Sequence, residues 1–429
     1  MFPPLIAHVL LITIVAGSIL LMLLRPRGIA EVYWVGAGAL LLVVLRLIPI
    51  PLAGHAIAKG LDVYLFLIGM MLLSELAREQ GVFDWVSSAA VHHARGSASR
   101  LFTLVYAIGT VVTIFMSNDA TAVVLTPAIL TAVKKAKAQP LPHLFTCALI
   151  ANAASFVLPI SNPANLVLFQ QNMPPLGRWL LAFGLPSLAS IAVTYLAIRI
   201  IFRKTLALPL QPDDDGGDAP LRAEGKLVLA GLALVIVTLL AASAFNLQLG
   251  LPTCVAALVV TAAVSIKARC NPLQLARAIS WPTLALVAAL FILVDAVESI
   301  GALRYTEQAL HWAQSLPMLA GTYLTAFAVG IANNLVNNLP LGLIAGGTLQ
   351  AAHAHVASGM HGLIPAAVLI GVDLGPNLSA TGSLATILWL LALRRENLEV
   401  SFWDFLKVGA VAMPLALAAA IAASLITAL

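Results

Sequence analysis

Ser117-Asn118-Asp119-Ala120-Thr121 is a polar run set between two apolar stretches, and 220 positions beyond Asn118 the run Asn337-Asn338-Leu339-Pro340 interrupts another. Polar side chains at membrane depth are costly to bury and mark places where something crosses. The same spacing relates Ser161-Asn162-Pro163 to Thr381-Gly382-Ser383, and Leu73-Ser74-Glu75 to Leu293-Val294-Asp295. A long period that carries both polar motifs and apolar runs is the trace of a duplicated transporter.

With 61% hydrophobic and 10% charged residues over 429 positions, the chain cannot expose its apolar surface to water, so lipid is its solvent. Apolar segments of roughly 17 to 25 residues select helices over an outer-membrane barrel. The expected fold is therefore an all-α integral membrane protein. The run Leu5 to Leu24 has no basic stretch before it and Arg25-Pro26-Arg27 after it, which reads as a retained helix and not a signal peptide. The net charge of +5 comes from loop residues and argues for topology, not for nucleic acid. Cys147, Cys254 and Cys270 lie far apart without ligand spacing, and read as apolar packing residues.

Spans are expected near 4–24, 32–50, 61–78, 143–172 and 179–202, and again near 227–245, 252–267, 282–300, 362–393 and 404–427. Two further apolar stretches, 101–133 and 318–350, carry the polar interruptions. Arg95 and Arg100 precede the first and Lys134, Lys135 and Lys137 come after it, so both its ends lie in the cytoplasm by the positive-inside rule. Only Arg304 lies near the second, so both its ends are external. Both stretches are thus expected to be re-entrant hairpins of opposite direction. With about ten spans and two hairpins, 19 of the 23 basic residues fall on the cytoplasmic side, the exceptions being Arg46, Lys59, Arg178 and Arg304.

Five spans per half is an odd number, so the halves are expected to be inverted repeats: 1–203 and 227–429, joined by a cytoplasmic linker, 204–226, with a solvated acidic run at Asp213 to Asp218.

In Leu158-Pro159-Ile160-Ser161-Asn162-Pro163 two prolines must open a helix, and Gly371 to Ser383 does the same with glycines and Pro376. Freed backbone groups in lipid need protein, water or a solute as partner. The side chains gathered at the tips and breaks are Ser117, Asn118, Asp119, Thr121, Ser161, Asn162, Asn337, Asn338, Asp373, Asn377, Thr381 and Ser383. Hydroxyls and carboxamides without Arg or Lys suit a small neutral polyhydroxy solute or a weakly hydrated cation. Asp119 and Asp373 are the groups able to exchange a proton; the competing reading makes them helix caps. A titratable group is expected on one side of the pseudosymmetric site only, Asp119 at the first tip standing against Asn338 at the second. Glu75, Asp295 and Glu298 are second-rank candidates near helix ends, where an interfacial position is the simpler reading. His353, His355 and His361 form a loose cluster without cysteine or carboxylate support, which argues against a metal site. No phosphate-binding GxxxxGK[ST] loop occurs, so the chain does not hydrolyse ATP by itself.

Asn337-Asn338-Leu339-Pro340, Val372-Asp373-Leu374-Gly375-Pro376 and Thr381-Gly382-Ser383-Leu384-Ala385-Thr386, with Asn118-Asp119 and Thr126-Pro127, resemble the bacterial arsenite/antimonite efflux permeases (ArsB) of the ion transporter superfamily. The resemblance covers nearly the whole chain. It implies a multi-pass protein of the bacterial cytoplasmic membrane that exports arsenite and antimonite in exchange for protons, alone or with a cytoplasmic arsenite-stimulated ATPase, and without a cofactor. It places the solute at Asn118, Asn337, Asn338, Thr381 and Ser383, with Asp119 and Asp373 beside them. A sodium/proton antiporter of the same superfamily is the alternative, since Ser, Asn and open carbonyls also coordinate sodium. A dicarboxylate carrier lacks cationic partners here, and an intramembrane hydrolase would need a nucleophile and base that the motifs do not contain.

Overall fold

A computed structural model describes residues 3–210, 220–268, 272–353 and 362–427. Cys270, His355, His361 and the acidic run at Asp213 to Asp218 lie outside the described residues, and so does the side chain of His353.

Among the described residues the regular elements are all helices. In the first half the helices are α1 (Pro4–Leu24), α2 (Glu31–Val44), α3 (Ile50–Lys59), α4 (Leu61–Glu79), α5 (Val82–Ala94) and α6 (Ala98–Met116). Next come α7 (Asn118–Ala120, a π-helical turn Thr121–Leu125, then Thr126–Lys135), α8 (Pro140–Ala153), α9 (Pro163–Phe169) and α10 (Leu176–Ile201). The second half runs through α11 (Ala223–Ala244), α12 (Gly250–Ala268), α13 (Pro272–Ala278), α14 (Trp281–Ser299) and α15 (Leu303–Ser315). It ends with α16 (Met318–Val336), α17 (Asn338–His353), α18 (Leu363–Leu374), α19 (Leu384–Arg395) and α20 (Phe402–Thr427). Apart from a four-residue helix, Arg203–Leu206, each helix of the first half thus has its counterpart ten places on, and their packing repeats too. α1 packs on α2 as α11 packs on α12, α4 on α12 as α14 on α2, α6 on α8 as α16 on α18, and α9 on α17 as α19 on α7.

Eight helices are long and apolar enough to cross a bilayer: α1, α6, α10, α11, α12, α14, α16 and α20, with α3 and α4 adding a ninth span if their 46° bend is counted as one crossing. Large apolar side chains on their outer faces, such as Leu5, Leu181 and Ile266, are exposed, which only lipid tolerates on this scale. Six of the ten expected spans are in this set, and α6 and α16, the first limbs of the expected hairpins, complete it. The expected span 32–50 is α2 of 14 residues, 61–78 is α4, which qualifies only together with α3, and the other two are divided. The stretch 143–172 is α8 of 14 residues and α9 of 7, and 362–393 is α18 and α19 of 12 each. None reaches the roughly 20 residues a crossing needs.

The expected hairpins take their shape at the ends of α6 and α16. Ser117 and Asn337 terminate these helices with φ of 119° and 78°, conformations that side-chain-bearing residues rarely adopt. The hydroxyls of Thr113 and Thr121 lie 2.8 Å apart. Eight residues of unbroken helix would rise about 12 Å, so the chain turns sharply at Ser117. Both limbs, α6 and α7, pack on the short helix α5; likewise α16 and α17 both pack on α15.

The helices fall into two groups. α1 to α4 and α11 to α14 pack mainly among themselves, and α5 to α10 pack with α15 to α20. The second group contains the tips and breaks, and α10 against α20 is its central contact. α20 approaches the break between α18 and α19 so closely that a Cβ at Gly409 would sit 2.3 Å from the Asn377 carbonyl oxygen and 2.4 Å from that of Leu378. Gly409→Ala is therefore expected to cost about 2 kcal/mol through overpacking. The check is the thermal midpoint of the purified variant in detergent, and an unchanged midpoint would show that α20 yields freely.

Candidate functional site

The tips and breaks are built by capping. At the first tip the Ser117 hydroxyl accepts from the Ala120 amide at 3.5 Å, which starts α7. At the first break Pro159–Ser161 forms a 3-10 turn and Asn162 caps α9, its Oδ1 accepting from the Ala164 amide at 3.0 Å. At the second break Gly375–Asn377 forms the equivalent turn and Ser383 caps α19, accepting from the Thr386 amide at 3.1 Å. The second tip is tied to this break: the Asn338 amide donates to the Gly382 carbonyl at 3.1 Å, and Asn337 Nδ2 to the Thr381 carbonyl at 3.3 Å. The caps are thus Ser117, Asn162 and Ser383, and neither aspartate is one.

Four helix N-termini meet as a result. A small cavity is lined by Asn118 and Asp119 of α7, Asn162 and Pro163 of α9, Asn338 and Leu339 of α17, and Leu384 and Ala385 of α19. Leu67 of α4 and Thr283 of α14 close it from the other helix group. Among the described residues no Lys or Arg lines it. Partial positive charge at helix N-termini favours oxygen atoms of a solute, while carboxamide and carboxylate oxygens accept from its hydroxyls. Asn118 Oδ1 and Asn338 Oδ1 are both buried without a hydrogen-bond partner among the described residues. A buried polar atom left unsatisfied in this way costs about 1–3 kcal/mol, which a bound group able to donate would recover.

Asp373 lies behind this cavity rather than in it. It is fully buried; its Oδ1 accepts from Asn162 Nδ2 at 2.6 Å, while Oδ2 has no hydrogen-bond partner among the described residues. Thr121, Ser161, Asn377 and Thr381 serve the scaffold of the breaks. Ser161 Oγ donates to the Ile114 carbonyl at 2.9 Å, and Thr381 Oγ1 to that of Asn334 at 3.0 Å. Asn377 joins the two halves, donating to the Leu149 carbonyl at 2.9 Å and accepting from Asn152 Nδ2 at 2.9 Å. Asn337 lines a second small cavity next to the first.

By place in the element order Asn118 pairs with Asn338 and Asp119 with Leu339, not Asp119 with Asn338. The carboxylate of the first tip is thus matched by a leucine at the second. Of the second-rank candidates, Glu75 pairs with Arg78 near the end of α4, and Glu298 is exposed. Asp295, near the C-terminal end of α14, is buried and bonded to Lys59 Nζ at 3.0 and 3.1 Å. Cys147 and Cys254 are buried and free, and no metal-binding cluster occurs among the described residues.

Several contributors were not anticipated. Asn334 Oδ1 accepts from both the amide and the hydroxyl of Ser379, at 3.1 and 2.7 Å, and its Nδ2 donates to the Gly375 carbonyl at 2.9 Å. Asn333 Nδ2 donates to the Val372 carbonyl. Asn333-Asn334 inside an apolar helix was the available signal. Thr283 and Leu67 carried none.

A bundle of this kind, with two hairpins and two broken helices meeting at a polar cavity, defines a multi-pass membrane transporter of the bacterial cytoplasmic membrane. The chain belongs to the citrate transporter (CitMHS) family, whose model matches residues 5–372, and it is an ArsB-like member of the ion transporter superfamily. It is 27% identical over 420 residues to the arsenical pump membrane protein of Yersinia enterocolitica, covering 92% of this chain and 94% of that one. Identity to the arsenical pump membrane protein of Escherichia coli K12 is 26%, covering 91% and 92%. To the putative arsenical pump membrane protein of Bacillus subtilis it is 25%, covering 91% and 93%. The fold is shared with the YdaH transporter of Alcanivorax borkumensis, described as having an unusual topology, at a TM-score of 0.57 and 15% identity over 88% and 86% of the two chains.

Proposed function

We propose that this chain exports trivalent arsenic and antimony hydroxides, arsenite and antimonite, from the cytoplasm in exchange for protons. The observation that carries this reading is the cavity itself: two unpartnered carboxamide oxygens, one from each half, beside Asp119 and four helix N-termini, with no cationic side chain among the described residues of its wall. Arsenous acid is neutral near physiological pH and has three hydroxyls that donate and accept, so it can use both kinds of partner at once. A tricarboxylate would bring three charges to a wall that holds a carboxylate and no Lys or Arg. The buried thiols of Cys147 and Cys254 line neither this cavity nor the one beside it, so the metalloid is held by weak contacts that release it.

In this reading residues 1–203 and 227–429 are inverted repeats joined by the linker 204–226, with one hairpin entering from each side, and access to the cavity alternates as the halves exchange conformations. Asn118, Asn162, Asn338 and Thr283 contact the solute. Thr121, Ser161, Asn337, Asn377, Thr381 and Ser383 hold the tips and breaks in place around it. Asp119 carries the exchanged proton, with Asp373 behind Asn162 as a second carrier. Proton exchange suffices as the energy source, and a cytoplasmic ATPase would add to it.

Expression in a bacterial strain lacking its own arsenite export is expected to lower cell-associated arsenite severalfold and to restore growth in arsenite. Unchanged accumulation, with the protein shown to be in the membrane, sinks the assignment. Sodium-dependent proton movement in everted vesicles, indifferent to arsenite, would put a sodium/proton antiporter in its place.

A further inference from the structure

Next to the solute cavity lies a second of similar size that holds a carboxylate with no part in solute binding. It is lined by Glu31, Asn337, Met22, Leu23, Leu286 and Leu290, together with Leu339, Leu384 and Ile387. Leu339 and Leu384 also line the solute cavity, so the two voids share these side chains as walls. Leu339 directly follows Asn338 at the second tip, and Leu384 directly follows the cap Ser383. The partition is therefore carried by the two segments whose N-termini face the solute.

Glu31 opens α2 and is buried, a costly place for a carboxyl group without a task. It forms an ion pair with Arg25 in the turn between α1 and α2. Among the described residues the other elements around it bring no titratable group to the cavity: α14 supplies Leu286 and Leu290, α16 ends at Asn337, and α19 supplies Leu384 and Ile387. Arg394, at the far end of α19, is close enough to act on Arg25. Apart from Glu31 and Asn337 its lining is apolar, which offers too few partners for the three hydroxyls of a metalloid hydroxide but suits a proton carried on water. The turn holding Arg25 and Arg27 lies on the cytoplasmic side by its charge.

We propose that Glu31 is a second proton-binding site on the exchange path, which takes a proton from the solute cavity through one water when Leu339 and Leu384 part, and releases it to the cytoplasm. This rests on the proton-exchange reading of the solute cavity. It adds a fixed carboxyl, on the helix group that does not hold the tips, as the counterpart of Asp119. Arg25 then has a defined part: it draws the Glu31 proton off once the partition has closed.

The test uses the full chain in proteoliposomes and two independent readouts. Glu31→Gln is expected to reduce arsenite exchange driven by a pH gradient at least about tenfold, and to leave arsenite–arsenite exchange at uniform pH unchanged. Arg25→Gln is expected to move the pH profile of driven exchange to higher pH, because the carboxyl loses its cation and keeps its proton longer. A merely structural ion pair would instead make both variants fail in both assays with no shift of profile, and that result overturns the proposal. The second readout needs no arsenite: an apolar carbodiimide, which attacks protonated carboxyls, should modify the Glu31 peptide on acidification, as read by mass spectrometry. Absence of modification across the pH range in which the protein stays folded also overturns it. If the intact protein moves no arsenite at all, the export reading falls, and the carbodiimide result still decides for or against Glu31.

Discussion

Asp119→Asn is expected to lower pH-gradient-driven arsenite efflux by about 100-fold, the usual scale for removing a positioned proton carrier. The amide keeps the size of the side chain and an acceptor oxygen, so cavity shape and one contact to a solute hydroxyl survive. What is lost is the ability to take up and give away a proton. Asp119 stands at the tip where α7 begins, on the cavity wall, and the repeat supplies Leu339 at the corresponding position. Among the described residues no second carboxyl lines the cavity to substitute for it. The measurement is arsenite accumulation in everted vesicles under an imposed pH gradient, beside arsenite–arsenite exchange without one. Loss of the first with retention of the second identifies a coupling residue. Loss of both makes Asp119 a solute ligand, and normal driven efflux in the variant removes it from the mechanism.

The tips and breaks could be read from sequence because their causes are local. Pro159, Pro163 and Pro376 remove backbone donors, and polar runs such as Ser117-Asn118-Asp119 stand out against apolar flanks. The features that escaped such reading depend on partners distant in the chain. The ion pair of Asp295 is one: nothing near it in sequence announces Lys59, which lies 236 positions away. Thr283 is one hydroxyl in an apolar helix, and only the meeting of α14 with the two tips makes it part of the cavity wall. The helices α5 and α15, at 13 residues each, are too short for the hydropathy signal of a span, yet each is the surface on which both limbs of a hairpin rest. Polar residues at the breaks also have a use that residue type alone does not reveal. Thr121, Asn377 and Thr381 satisfy backbone and neighbouring side chains opened by the breaks, the other use that an interrupted helix in lipid has for hydroxyls and carboxamides.

The bond between Asn162 and Asp373 separates two roles that a single substitution would confuse. One carboxamide caps α9 with its oxygen and donates its nitrogen to Asp373 at the end of α18, so it links the broken helix of one half to that of the other. Asp373→Leu leaves Asn162 Nδ2 buried without its acceptor and is expected to destabilise the fold by about 2–3 kcal/mol. Asn162→Ala removes both the cap and the donor and should cost a similar amount. Because the two share one bond, the double variant should cost less than the sum of the singles, a coupling readable in thermal midpoints. Asp373→Asn is different: its carboxamide oxygen can still accept from Asn162, so stability should be kept. If Asp373 also carries a proton, driven exchange in this variant should fall about tenfold while the midpoint stays in place. Wild-type exchange in Asp373→Asn would restrict Asp373 to orienting Asn162, and the proton path would then run through Asp119 and Glu31, the two carboxyls that line the adjoining cavities.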